Sequence, residues 1–170
     1  MENTFGRNII PHNEEERLEN LKKYKILYTK SEPVFDQLAA IAATLFKAPL
    51  AMINFVDKNQ VWTKANQEGQ SGEELERGSS LCSLAILKDN ITVFENTLTE
   101  PSLLANPVIA GESGIRFYAA SPIITANGFN IGVICVADIK PRRFTAEDQT
   151  KLEWLAEMVQ EEIEKRIKVN

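Results

Sequence analysis

Two cysteines, one histidine and an arginine–tyrosine pair are the residues of this sequence whose types best suit chemistry. Cys82 and Cys135 are far apart and neither belongs to a C-x-x-C pair, so they form no secreted disulfide framework. His12, the sole histidine, lies in a polar N-terminal arm. A Ser-His-Asp or Cys-His mechanism would need His12 to reach back into the fold, and one His with two distant Cys gives no structural zinc motif. The stretch GIRFYAASPI, Gly114–Ile123, is apolar enough for a buried strand yet carries Arg116 and Tyr118. They alternate with Ile115, Phe117 and Ala119, which predicts one shared strand face. A buried guanidinium without a partner is costly. Either Arg116 anchors an anion or carbonyl with Tyr118 beside it, or it pairs with a nearby acid while its stem packs on apolar atoms.

Other residues have two readings each. Asn54, between Met52 and Val56, is a candidate for the same face, or a strand-end hydrogen bond. Trp62 either stacks on a ligand or, the preferred reading, plugs the core. Cys82 and Cys135 read first as small buried fillers. Phe94, Leu103, Leu104, Asn106 and Pro107 fall in a predicted lid, whose apolar members close a pocket by packing into it. Glu73, Glu74, Glu76 and Arg77 read as a solvated charged loop.

Bulk properties bound the function. The chain has 170 residues, 44% hydrophobic and 25% charged, which suits one domain with a substantial core. A net charge of -5 argues against a nucleic-acid partner, because phosphate neutralisation calls for a basic surplus. No apolar run approaches a membrane span, and the N-terminus has no apolar secretory core, so a cytoplasmic protein is expected.

These residues need elements to position them. Residues 1–12 read as a flexible arm and 13–170 as one domain. A helix is predicted from Asn13, with acidic residues in its first turn. A second is predicted from Ser31 to Phe46, with Phe35, Leu38, Ala39, Ala42 and Leu45 at helical spacing. LAMINFV, DKNQ and VWTKA read as a hairpin, followed by a polar loop over 67–79. SSLCSLAIL is a helical turn capped by Ser79 or Ser80, and ITVF a short strand. Residues 96–113 are short helical turns and loop. Asn127-Gly128 marks a hairpin between two long apolar strands. Thr145 with Asp148 resembles a capping box for a last helix striped by Leu152, Leu155, Val159, Ile163 and Ile167. The order is α+β around an antiparallel sheet with both faces covered. Terminal helices cover one face; the irregular middle covers the other and leaves a cavity.

The set RLENLKKYKIL, PVFDQLAAIAATLFKAPLAMINFVD, VWTKA, SLCSLAI, EPSLLANPVI, GIRFYAASPI and IGVICVADIKPRRFT resembles the GAF domain family, in the variety found beside bacterial histidine kinases and diguanylate cyclases. The resemblance implies a PAS-like, six-stranded antiparallel sheet with N- and C-terminal helices on one face and a pocket lined by loops and short helices on the other. It implies a non-catalytic sensor that binds a small molecule at Asn54, Trp62, Cys82, Phe94, Asn96, Leu103, Asn106, Arg116 and Tyr118, and signals through its terminal helices. It also implies a homodimer through those helices and a signalling protein partner, with neither nucleic acid nor membrane. It names no ligand and no cofactor. Leu84, Asn96 and Ser102 replace a histidine, an acid and an arginine of the family pattern, so a ligand less charged than usual is expected. A ligand-free dimeric scaffold is the alternative. Free methionine-(R)-sulfoxide reductases resemble the same fold, but Gly114–Ser121 holds no cysteine, so a reductase would have to recruit Cys82 and Cys135.

Overall fold

The computed structural model describes residues 1–168. Six strands form one sheet: β1 (Leu50–Val56), β2 (Gln60–Asn66), β3 (Glu74–Glu76), β4 (Thr92–Phe94), β5 (Phe117–Ile124) and β6 (Asn130–Asp138). Their order across the sheet is β3-β2-β1-β6-β5-β4, and every neighbouring pair is antiparallel. Four helices complete the fold: α1 (Glu14–Lys23), α2 (Pro33–Phe46), α3 (Cys82–Ala85) and α4 (Ala146–Lys168). The predicted α+β arrangement and both hairpins are present.

Period-two alternation sorts the strand residues into two cores. Ile134 and Val136 of β6 join α2 and α4 in one cluster, with Phe117, Ala119 and Ile123 of β5; Ile131 reaches the same cluster because the register shifts there, where Ile123 pairs with Gly132 and Ile124 with Asn130. Val133, Cys135 and Ala137 of β6, with Tyr118 and Ala120 of β5, face the other way towards α3 and the middle segment. Leu152, Leu155, Val159 and Ile163 of α4 are fully buried on the first face, as their spacing predicts. The capping box is reciprocal: Thr145 N donates to Asp148 Oδ2 at 2.9 Å, and Asp148 N to Thr145 Oγ1 at 3.1 Å. In the turn before β6 only Gly128 takes a positive φ, +89°, and its N–H donates to Thr125 O.

Several expectations are corrected. Leu45 and Ile167 are exposed; in α2, Phe46 takes the inward place expected of Leu45. Glu32, not Ser31, is the N-cap of α2. The polar loop over 67–79 contains β3, which adds an edge strand to β2. Arg77 is not solvated. It is fully buried and pairs with Glu14, with Nη2 3.1 Å from Oε1. Residues 1–12, read as a flexible arm, lie with Phe5 and Ile9 buried in the second core. No described helix is long and apolar enough to cross a membrane.

Candidate functional site

Side-chain size makes a hollow on the second face. There β5 and β6 present Ala120, Cys135 and Ala137, while the helical face receives Phe117, Ile134 and Val136. Register sets these small residues beside one another: Ala137 pairs with Leu50 and Tyr118, and Cys135 with Met52 and Ala120. The resulting cavity is about 130 Å³. Leu50, Met52, Asn54, Leu75, Tyr118 and Ala137 of the sheet floor it; Ser79, Ser80, Leu81 and Cys82 roof it, with Val108 and Ile115 at the side. No charged side chain lines it among the described residues. An apolar hollow of this size, near that known to hold benzene in other cores, fits a ligand of about that size better than one of drug size.

A polar cluster forms the deep end. Tyr118 donates its hydroxyl to Cys82 Sγ at 3.2 Å, and Asn54 Nδ2 approaches the same sulfur at 3.4 Å. Thr63 Oγ1 donates to Asn54 Oδ1 at 2.8 Å, which fixes the amide so that its NH₂ faces sulfur. Cys135, from the middle of β6, belongs to the same core cluster as Cys82 and pairs in register with Met52 and Ala120, each two residues along its strand from Asn54 and Tyr118. The hydrogen bond from Cys135 draws the Cys82 thiol below its ordinary range; burial opposes this, and Asn54, Tyr118 and Ser80 assist. Cys135 moves up for the complementary reason, hydrogen bonding to Cys82 followed by burial. Burial and the neighbouring thiols push Tyr118 well above the ordinary phenol range. Both cysteines are free and buried. Among the described residues no group of three or more His, Cys, Asp or Glu is placed to hold a metal.

The predicted site residues divide sharply. Asn54, Cys82 and Tyr118 meet in the cavity. Arg116 stands just before β5 and is outside the cavity lining. Its guanidinium meets carbonyls and, among the described residues, no acid: Nη1 donates to Ile109 O at 2.7 Å and Nη2 to Gly111 O, tying down the loop before it. Trp62 faces the helices, 2% exposed, with its ring 5.9 Å from Tyr28. It is a core plug on the opposite side of the sheet from the cavity. Phe94 stacks on Tyr118 at 6.4 Å and supports it without lining the hollow. Asn96 caps a 3-10 turn by accepting from Leu98 N. Leu103 is buried in the second core, outside the lining. Asn106 is spent on structure: Nδ2 donates to Thr4 Oγ1 and Ser79 O, and Oδ1 accepts from Val108 N. The other lining residues, Ser80, Leu50 and Ala137 among them, were missed. A signal for Ala137 lay in the run VICVAD, where only small residues share its face with Cys135.

Residues 31–163 match the GAF domain family. This chain belongs to it. GAF domains are in general non-catalytic sensory and regulatory modules. Over 150 residues the GAF chain is 33% identical to a cyclic di-GMP phosphodiesterase of Pseudomonas aeruginosa, covering 88% of this chain and 25% of that protein. It therefore spans about a quarter of that relative's length. Its fold is similar to the GAF domain of an Acinetobacter phosphoenolpyruvate-protein phosphotransferase, with TM-score 0.65 and 17% identity over 95% of this chain and 98% of that one. It is also similar to a free methionine-R-sulfoxide reductase of Neisseria meningitidis, with TM-score 0.64 and 18% identity over 92% and 91%. At these identities the two structures speak to fold alone.

Proposed function

We propose that this GAF domain is a non-catalytic sensory module that takes a small, neutral, largely apolar molecule into the cavity beneath α3. The observation that carries the reading is the composition of the hollow: apolar walls with a few convergent polar groups, Tyr118, Asn54 and Ser80, and no charge. The uncharged lining agrees with Leu84, Asn96 and Ser102 standing where the family pattern has ionisable groups. Occupancy would order residues 96–115 against the roof, and the sheet would pass the change to α2 and α4. The phosphodiesterase activity named for the Pseudomonas relative is not carried over, since the match covers a quarter of that protein.

A ligand-free homodimeric scaffold is the second reading. Its support is the apolar surface on the helical layer, where Trp154 of α4 is 57% exposed and Ile41 of α2 45% exposed. A reductase of free methionine sulfoxide fits less well. The two thiols it needs share one core cluster, but a zwitterionic amino acid calls for charged anchors, and Arg116 is already engaged by carbonyls.

Native mass spectrometry of the purified domain separates the first two readings. The sensor reading expects a protein mass with a small molecule attached, or uptake from a panel of neutral aromatic and short aliphatic compounds. Ala137→Leu, which fills the hollow between Leu50 and Tyr118, should abolish uptake while keeping the fold. An empty dimer that binds nothing from the panel would replace the sensor with the scaffold.

A further inference from the structure

The sensor reading makes no use of the thiols. Cys82 and Cys135 are the protein's only cysteines, 53 residues apart in sequence and on two different elements, yet they share one core cluster: Cys82 Sγ meets Asn54 and Tyr118, and Cys135 sits one strand step away, paired with Met52 and Ala120. A cysteine that merely fills volume needs no polar neighbours, because sulfur in a thiol is a weak acceptor. Cys82 has Tyr118 O–H and Asn54 N–H₂ directed at it, and Thr63 holds the amide in that orientation. All four side chains are at least nine-tenths buried. Donors kept from water gain most when their acceptor carries charge, so this arrangement favours a Cys82 thiolate over a thiol. Cys82 also lines the cavity, so a small molecule entering beneath α3 meets its sulfur.

We propose that Cys82 and Cys135 form a peroxide-responsive dithiol, in which oxidation through the cavity closes a disulfide between α3 and β6. The Cys82 thiolate attacks one oxygen of a hydroperoxide and the O–O bond breaks. The alkoxide leaves and takes a proton, giving an alcohol, or water from hydrogen peroxide. Cys82 is then a sulfenic acid. The Cys135 sulfur attacks the Cys82 sulfur; the S–S bond forms, the S–O bond breaks, and hydroxide leaves with the Cys135 proton as water. In sum, two thiols and one peroxide give one disulfide, one alcohol and one water. The peroxide is the oxidant, and each protein molecule reacts once until a dithiol reductant restores it. The response uses the same cavity as the sensor reading but needs no organic ligand.

The test starts from fully reduced wild-type domain at neutral pH, treated with a slight excess of hydrogen peroxide and then denatured in N-ethylmaleimide. The expected product is lighter than the starting protein by two hydrogen atoms. It takes up no maleimide, yields a Cys82–Cys135 cross-linked peptide, and regains both alkylation sites after dithiothreitol. Cys135→Ser should stop at a sulfenic acid that dimedone captures on Cys82. Two maleimide adducts on wild-type protein after peroxide would overturn the proposal, and so would a sulfinic acid on Cys82 without cross-link. The wild-type result decides the matter even if a variant fails to fold. Ligand uptake is read on reduced protein in a separate spectrum, so failure of the sensor reading and failure of the dithiol are distinguishable.

Discussion

Among single residues, Tyr118 is the one whose role is most open to measurement. Its hydroxyl donates to Cys82 Sγ, and a hydrogen bond to a charged partner contributes about 1.5–3 kcal/mol. Tyr118→Phe keeps the ring that stacks on Phe94 and removes only the donor. The thiolate absorbance of the reduced protein, followed against pH, should therefore move its lower midpoint upward by about one unit or more. Phe94→Leu changes packing without touching a donor and should leave that midpoint in place; equal behaviour of the two variants would remove Tyr118 from the account. At this scale the sequence was only half legible. Cys82, Tyr118 and Asn54 could be chosen by residue type and strand parity. Which thiol met which donor could not, because α3 approaches β1, β5 and β6 from 28 to 53 residues away along the chain.

Arg116 shows how an element can mislead when its boundary is off by one residue. Strand parity suggested a ligand anchor beside Tyr118, yet β5 starts at Phe117, and Arg116, on the approach, is outside the cavity lining. Its guanidinium binds the carbonyls of Ile109 and Gly111, and its own N–H donates to Asp138 O. The side wall of the cavity is thereby stapled to the end of β6. Gly114 permits the close passage, since a Cβ there would collide with Ile109 O. Arg116→Leu leaves those carbonyls without their donor, at a cost of about 1–3 kcal/mol for the loop. Amide exchange at Ile109 to Ile115 should accelerate at least tenfold while the β1–β6 amides stay protected; unchanged loop exchange would mean that the staple is dispensable. The regular elements themselves were legible. Strong periodicity located α2, α4 and both hairpins, and the Thr145–Asp148 box marked where α4 begins. β3 was not legible, because its three residues gain their strand form only from pairing with β2.

Across the whole molecule, one carboxylate links the N-terminal helix to the roof of the cavity. Glu14 of α1 accepts from Arg17 Nε at 2.8 Å and from both terminal nitrogens of Arg77. Arg77 reaches the β1–β2 turn through Lys58 O, and its own carbonyl accepts from Ser83 Oγ in α3. Sequence composition hid this connection: Arg77 follows three glutamates in a polar run, and its partner lies 63 residues away. Both guanidinium groups are buried, so Glu14→Gln removes the carboxylate that pairs with both, a loss of about 3 kcal/mol or more. The acid dependence follows from the same geometry. Burial alone pushes the Glu14 carboxyl up, but hydrogen bonds from Arg77 and Arg17 outweigh it and hold the group below its ordinary value of 4.5. A carboxyl depressed in the folded state stabilises the protein fully above its unfolded value and loses that contribution as pH falls through the folded one. Wild-type Tm should thus drop steeply on acidification below that ordinary value, whereas Glu14→Gln should start lower at neutral pH and lose less. Parallel Tm curves for the two proteins would show that Glu14 is not the acid-sensitive bolt between α1 and α3.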